Sequence, residues 1–300
     1  MIGRPTPRQP ARPTTLGLAY RVLAGVFRAR GWESLRRQPA VLVFQMAKVG
    51  SQTVVRSIRA SGPRQPVFHV HTLTDQGMAA MEGFYRWSRV PSLLWAGHLL
   101  VGRYLSRQIR RGVTPGRWKI VTLVRDPVAR NLSLLFQLGH RLLPDFEEQC
   151  DAGRLDPITV FERFEADFPG QVDCMRWFRD ELYPVFGVDP FAEPFDREAG
   201  HHVYRGPFAD VLLIRTEDLD RGGAAALRSF LGLEQLRWKR ANIGGRKANG
   251  ARYARLLDRL RLPTAFVDRY YDTPEVRHFY SPEELNLLRT RWCGQRGAAS

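Results

Sequence analysis

The stretch that most constrains this 300-residue chain is Val41 to Thr53, VLVFQMAKVGSQT. Val41-Leu42-Val43-Phe44 is a short β-branched apolar run, the pattern of a strand buried on both faces of a parallel sheet. A polar loop follows, from Lys48 to Thr53. Val54, Val55 and Ile58 then mark a helical face that Ser61-Gly62-Pro63 ends. Strand, small-residue loop and helix together aim backbone N–H groups at an anion, and the helix dipole adds roughly half a positive charge there. Lys48 adds a full charge. Taken alone, the stretch also reads as an ordinary strand-to-helix turn with an exposed lysine.

The loop is not a Walker A motif, which requires G-x-x-x-x-G-K-[ST]. Here Ser51 follows Gly50, and the lysine stands before it. A second stretch, Lys119 to Phe136, reads KIVTLVRDPVARNLSLLF. Ile120 to Val124 is another buried strand, and Arg125-Asp126-Pro127 makes the turn, with Pro127 suited to a first helical position. Arg125 at the strand's end and Ser133 two turns into the helix can reach one phosphate, and arginine offers it a bidentate fork.

In this order, K-x-G-S and R-D-P-x-x-R-x-x-S resemble the sulfotransferase superfamily. The first motif resembles that family's loop for the 5′-phosphosulfate of PAPS (3′-phosphoadenosine 5′-phosphosulfate), and the second its 3′-phosphate site. Val211 to Leu219, followed by Phe230-Leu231-Gly232-Leu233, is similar to a late strand, turn and helix of these domains. Arg277-His278-Phe279-Tyr280-Ser281 resembles a bacterial capsular-polysaccharide branch. The resemblance covers roughly residues 40 to 290.

It implies an α/β, P-loop-like three-layer fold with a central parallel sheet. It also implies PAPS as co-substrate, PAP as product, no required metal, and a carbohydrate-type acceptor, polysaccharide or glycolipid. Lys48, Val49, Gly50, Ser51, Gln52 and Thr53 fall at the phosphosulfate loop, and Arg125 and Ser133 at the 3′-phosphate. In the cytosolic branch a strand just before the 3′-phosphate motif ends in the catalytic histidine. Ser92 to His98, SLLWAGH, reads as such a strand, so Lys48 and His98 are the implied catalytic pair; carbohydrate branches can use a glutamate instead. Arg246 and Lys247 resemble an R-K-G loop over the 3′-phosphate, with Ala248 in place of the glycine. Gln52 interrupts a usual pair of hydroxyl residues. No aromatic follows Thr53 to stack on adenine.

The formal charge of +16 points to anionic ligands, but it is uneven. Residues 1–40 hold eight arginines and one acid, whereas residues 141–200 hold six basic residues and fifteen acids. A nucleic-acid binder favours one continuous basic face, so no nucleic-acid partner is expected. The division is therefore a basic extension over 1–40 and a sulfotransferase-like domain over 41–300. An aromatic, acidic insert over about 141–206 forms two or three helices on the acceptor side of the sheet's C-terminal edge, where open α/β sheets bind ligands. Leu16, Ala19, Leu23, Val26 and Phe27 lie at helical spacing among arginines. Residues 16–32 then either pack on the domain or touch an anionic membrane peripherally. No apolar run reaches transmembrane length, and residues 1–15 are no ordinary signal peptide. Cys150, Cys174 and Cys293 are an odd, scattered set; they suit a reducing, cytoplasmic setting and no zinc site. His69 and His71 share one strand face, but without a third ligand they read as structural. An NTP-dependent kinase is the rival enzyme reading, and a basic membrane- or polyanion-binding module the non-enzymatic one.

Overall fold

The computed structural model describes residues 40–88, 92–112, 116–168, 171–240 and 250–294. The sheet has five strands: β1 (Val41–Phe44), β2 (Val67–Val70), β3 (Trp118–Val124), β4 (His201–Arg205) and β5 (Ala209–Arg215), in the order β2-β1-β3-β5-β4. The first four in that order run parallel; β4 pairs antiparallel with β5 on the edge. β1 and β5 are buried along their whole length, and β3 nearly so. Their sequences VLVF, WKIVTLV and ADVLLIR therefore read as almost unbroken apolar runs. β4 corrects the expectation of a wholly parallel sheet and of an all-helical insert. Its sequence HHVYR carries three polar residues in five and buries only Tyr204, so it gives no strand signal before its partner is known.

The helices are α1 (Ser51–Ala60), α2 (Asp75–Ser88), α3 (Ser92–Arg110), α4 (Pro127–Leu142), α5 (Phe146–Asp151), α6 (Pro157–Asp167) and α7 (Tyr183–Phe186). After β5 come α8 (Ala224–Leu231), α9 (Gly250–Arg259), α10 (Thr264–Tyr271), α11 (Pro274–Phe279) and α12 (Pro282–Cys293). α1 packs on β1 and β2, α3 on β2, and α8 on β5. α4 begins as its sequence dictates. Asp126 caps it, accepting from Val128 N at 2.9 Å, and Pro127 fills the first turn.

The α3 helix overturns a second expectation: Ser92 to His98 is not a strand. A short apolar run does not by itself separate strand from helix. The sequence after it decides: Leu99, Leu100 and Leu105 are buried, which continues a helical face past His98. Gly102 lets this helix approach the end of β2; a Cβ there would lie 3.1 Å from the Thr72 carbonyl oxygen.

No helix among the described residues is long and apolar enough to cross a membrane. The extension over 1–32, the Arg246–Lys247 loop and the Gly/Ala/Ser tail lie outside the described residues.

Candidate functional site

The strand-to-helix loop after β1 is held by its carbonyls. Arg130 Nε donates to Ala47 O at 3.2 Å, Arg125 Nη1 to Lys48 O at 2.9 Å, and Thr216 Oγ1 to Val49 O at 2.7 Å. In a trans peptide the N–H points opposite to the C=O. Tying three successive oxygens therefore turns the N–H groups of Lys48, Val49 and Gly50 the other way. In the first turn of α1 Thr53 N donates to Gly50 O at 3.1 Å, and this turn is the helix's positive end. Gly50 caps the helix in the left-handed region, φ 85°, and Lys48 adopts φ 73°. A side chain in that region is strained, and such strain collects at ligand-holding loops. Lys48 Nζ donates to Gln137 Oε1 of α4 at 2.9 Å, so the ammonium leans across the loop toward α4.

A cavity of about 770 Å³ opens on this loop. Lys48, Gly50, Ser51, Gln52, Arg125, Ser133 and His98 all line it. Val49 is buried in the core instead, and Thr53 lies away from the cavity wall. The β1 loop and the start of α4 thus bring together residues 80 positions apart in sequence. Arg130, which stands between Arg125 and Ser133, is buried; it also donates to Asn131 Oδ1 and Gln171 O, both at 2.8 Å. Its guanidinium braces the insert against the loop.

Three histidines, His69, His71 and His98, line the same cavity. The His69, His71 and His98 rings have centroids 4.7, 5.9 and 6.1 Å apart, and His71 and His98 stack at 18°. His71 Nδ1 contacts Gln45 O at 2.8 Å. A carbonyl only accepts, so Nδ1 carries the proton and Nε2 of the neutral ring keeps its lone pair. Burial, with the neighbouring His98 and Arg130 adding to it against the Gln45 hydrogen bond, brings the His71 pKa down to about 4. Burial and the adjacent His71 bring that of His69 to about 3. His98 sits at the exposed mouth, and partial desolvation lowers its pKa as well. No group of His, Cys, Asp or Glu that could hold a metal ion occurs among the described residues.

The stretch after β2 is clamped by the insert. Trp177 Nε1 donates to His71 O at 2.8 Å. Glu181 Oε2 accepts from Leu73 N at 2.7 Å and Thr74 N at 3.1 Å, and its Oε1 accepts from Thr74 Oγ1 at 2.6 Å. Trp177 adjoins and Glu181 belongs to a π-helical turn, Phe178–Leu182, a local widening that often marks functional sites. With both oxygens committed, Glu181 is a brace rather than a free base.

Two of these roles escaped the sequence. β2, not residues 92–98, is the strand that precedes β3, and it runs into His71. His71 thus directly follows a strand end, and His98 shares the cavity wall with it. Tyr253, on α9, also lines the cavity, together with Ser133 and Arg125. Nothing in the local sequence ARYARLL distinguishes it from a core aromatic.

A family model described as "Putative capsular polysaccharide synthesis protein" matches residues 160–281. That span takes in the π-helical clamp, β4, β5 and Tyr253, and it ends on the Arg277–Ser281 segment. No curated protein and no solved structure matches the chain. The matched family points to capsular polysaccharide, a carbohydrate theme.

Proposed function

We propose that the protein is a PAPS-dependent sulfotransferase with a P-loop-like fold, acting on a hydroxyl of a carbohydrate, polysaccharide or glycolipid. One observation carries the reading: an anion-receiving loop with Lys48, a second phosphate-type corner made by Arg125 and Ser133, and a neutral histidine with a free lone pair all line one cavity. The donor set fits a ligand with two separated phosphates. The Lys48 loop suits the bridging end, and Arg125 with Ser133 suits the ester phosphate.

In the reaction the acceptor oxygen attacks sulfur, the S–O bond to the 5′-phosphate breaks, and the acceptor proton goes to His71 Nε2. Neutral His71 is ready for that proton at pH 7, and Gln45 O stabilises the imidazolium that forms. Charge grows on the departing phosphate oxygen, and Lys48 with the loop N–H groups stabilises it. His98 lies beside His71 and is the alternative proton acceptor. The acceptor sugar would meet Tyr85, Trp177, Asp173 and Arg176 on the insert side of the cavity.

Calorimetry with PAP, 5′-AMP and Mg·ATP tests the donor, and transfer from labelled PAPS to desulfated capsular glycans tests the reaction. PAP should bind, and at ~100 times its Kd it should add about 2.7 kcal/mol of stability. Binding of Mg·ATP in preference to PAP would overturn the reading in favour of phosphotransfer.

A further inference from the structure

Tyr253 lines the same cavity as Ser133 on α4 and Arg125 at the end of β3, although it comes from a third element. Burial raises its phenol pKa, and both side chains pull it down against that rise. Its ring is fixed from the side by Phe136, centroids 4.8 Å apart, and Phe136 packs in turn on Phe146 at 5.7 Å. Phenylalanine would fill that space without bringing a polar atom into a half-buried wall. A guanidinium only donates, so a phenol beside Arg125 can meet it with its oxygen and keep its own proton to give. Arg125 meanwhile spends one N–H on Lys48 O, at 2.9 Å, and so joins this corner to the anion loop.

We propose that Tyr253 is a third ligand of the phosphate monoester held by Arg125 and Ser133, and that it selects donors carrying that group. The inference rests on the donor reading above. When phosphate oxygens engage Arg125 and Ser133, the phenol gives its O–H to the same phosphate. No covalent bond changes and no proton is lost. A neutral donor adds a directed hydrogen bond while Arg125 supplies the charge. A ligand without this phosphate offers the phenol no acceptor at this corner, so the phenol adds nothing to its affinity.

The variant is Tyr253→Phe, which keeps the ring and its packing on Phe136. Calorimetry compares PAP with 5′-AMP on the wild type, Tyr253→Phe and Arg125→Ala, alongside melting of the free proteins. A hydrogen bond to a charged group corresponds to roughly 10- to 100-fold in affinity. Tyr253→Phe should weaken PAP by about that factor, hold 5′-AMP within about twofold, and melt close to wild type. A PAP to 5′-AMP ratio unchanged by Tyr253→Phe but reduced by Arg125→Ala overturns the role of Tyr253 and leaves the donor reading standing. A wild type with no preference for PAP overturns both. A Tyr253→Phe protein that melts far lower and weakens both nucleotides equally marks the phenol as a packing element, and that also overturns the proposal.

Discussion

Lys48 combines a left-handed backbone with a charge placed where the β1 loop meets α4. Alanine also carries a Cβ, so Lys48→Ala keeps the backbone strain and should leave folding stability nearly unchanged. The same change should lower turnover on the order of 10²–10³, as loss of transition-state charge stabilisation does. PAP affinity should stay within about tenfold of wild type. Unchanged turnover would remove the loop from the reaction. The base leaves a different signature. With His71 titrating near 4, the acid limb of kcat/KM should lie well below the 6.5 of an ordinary imidazole. His71→Gln should abolish that limb together with most of the rate, while His98→Gln should preserve it. The reverse result would return the base to His98. The sequence could offer Lys48, Arg125 and Ser133 as candidates because the first two stand just past a strand end and the third two turns into the helix that follows. His71 reads as structural in the sequence because the pairing of two histidines is visible there and the Gln45 carbonyl that fixes the tautomer is not.

At the scale of elements, the strand-loop-helix after β1 works because Thr216, from the segment after β5, reaches Val49 O at 2.7 Å and Val124 O at 3.0 Å. One hydroxyl thereby joins the ends of β1 and β3. Gly50 sits under the same residue: a Cβ there would come 3.3 Å from Thr216 Cγ2, at a φ of 85°. Gly50→Ala should therefore cost about 1–2 kcal/mol from the left-handed backbone alone, seen as a lower denaturation midpoint. It should also shift the Thr216 hydrogen bonds and weaken PAP; an unaffected midpoint would mean the cap relaxes freely. β1, β3 and β5 could be read from the sequence because parallel strands in mid-sheet are apolar on both faces. β4 could not, because an edge strand of mixed polarity is defined by its partner. Residues 92–98 misled because the apolar run was cut at His98, although Leu99 to Leu105 continue it on a helical period.

Across the whole molecule, the last thirty described residues reach back to the phosphate corner. Tyr271 Oη and Trp292 Nε1 donate to the two oxygens of buried Asp126 at 2.8 and 2.9 Å, and Tyr280 Oη donates to Glu217 Oε2 at 3.1 Å. Glu217 Oε1 accepts from Asp126 N at 3.0 Å. Residues 126, 217, 271, 280 and 292 thus form one buried network behind Arg125, which no local pattern in the sequence reveals. Trp292→Phe removes one donor from a buried carboxylate and should cost about 1–3 kcal/mol, without changing the PAP to 5′-AMP ratio. The histidine wall supplies the molecule's pH dependence. His69 and His71 titrate near 3 and 4 when folded and near 6.5 when unfolded. Between those values the unfolded chain binds more protons, so the stability they confer is full above about pH 6.5 and is lost as pH falls toward 4. Urea midpoints at pH 7.5, 6.5 and 5.5 should fall in that order. The fall should flatten in a His69→Gln/His71→Gln variant, because glutamine does not titrate. An equally steep fall in that variant would place the acid sensitivity in the other histidines that burial holds below their usual range, His98 and His278, and not in the His69–His71 pair.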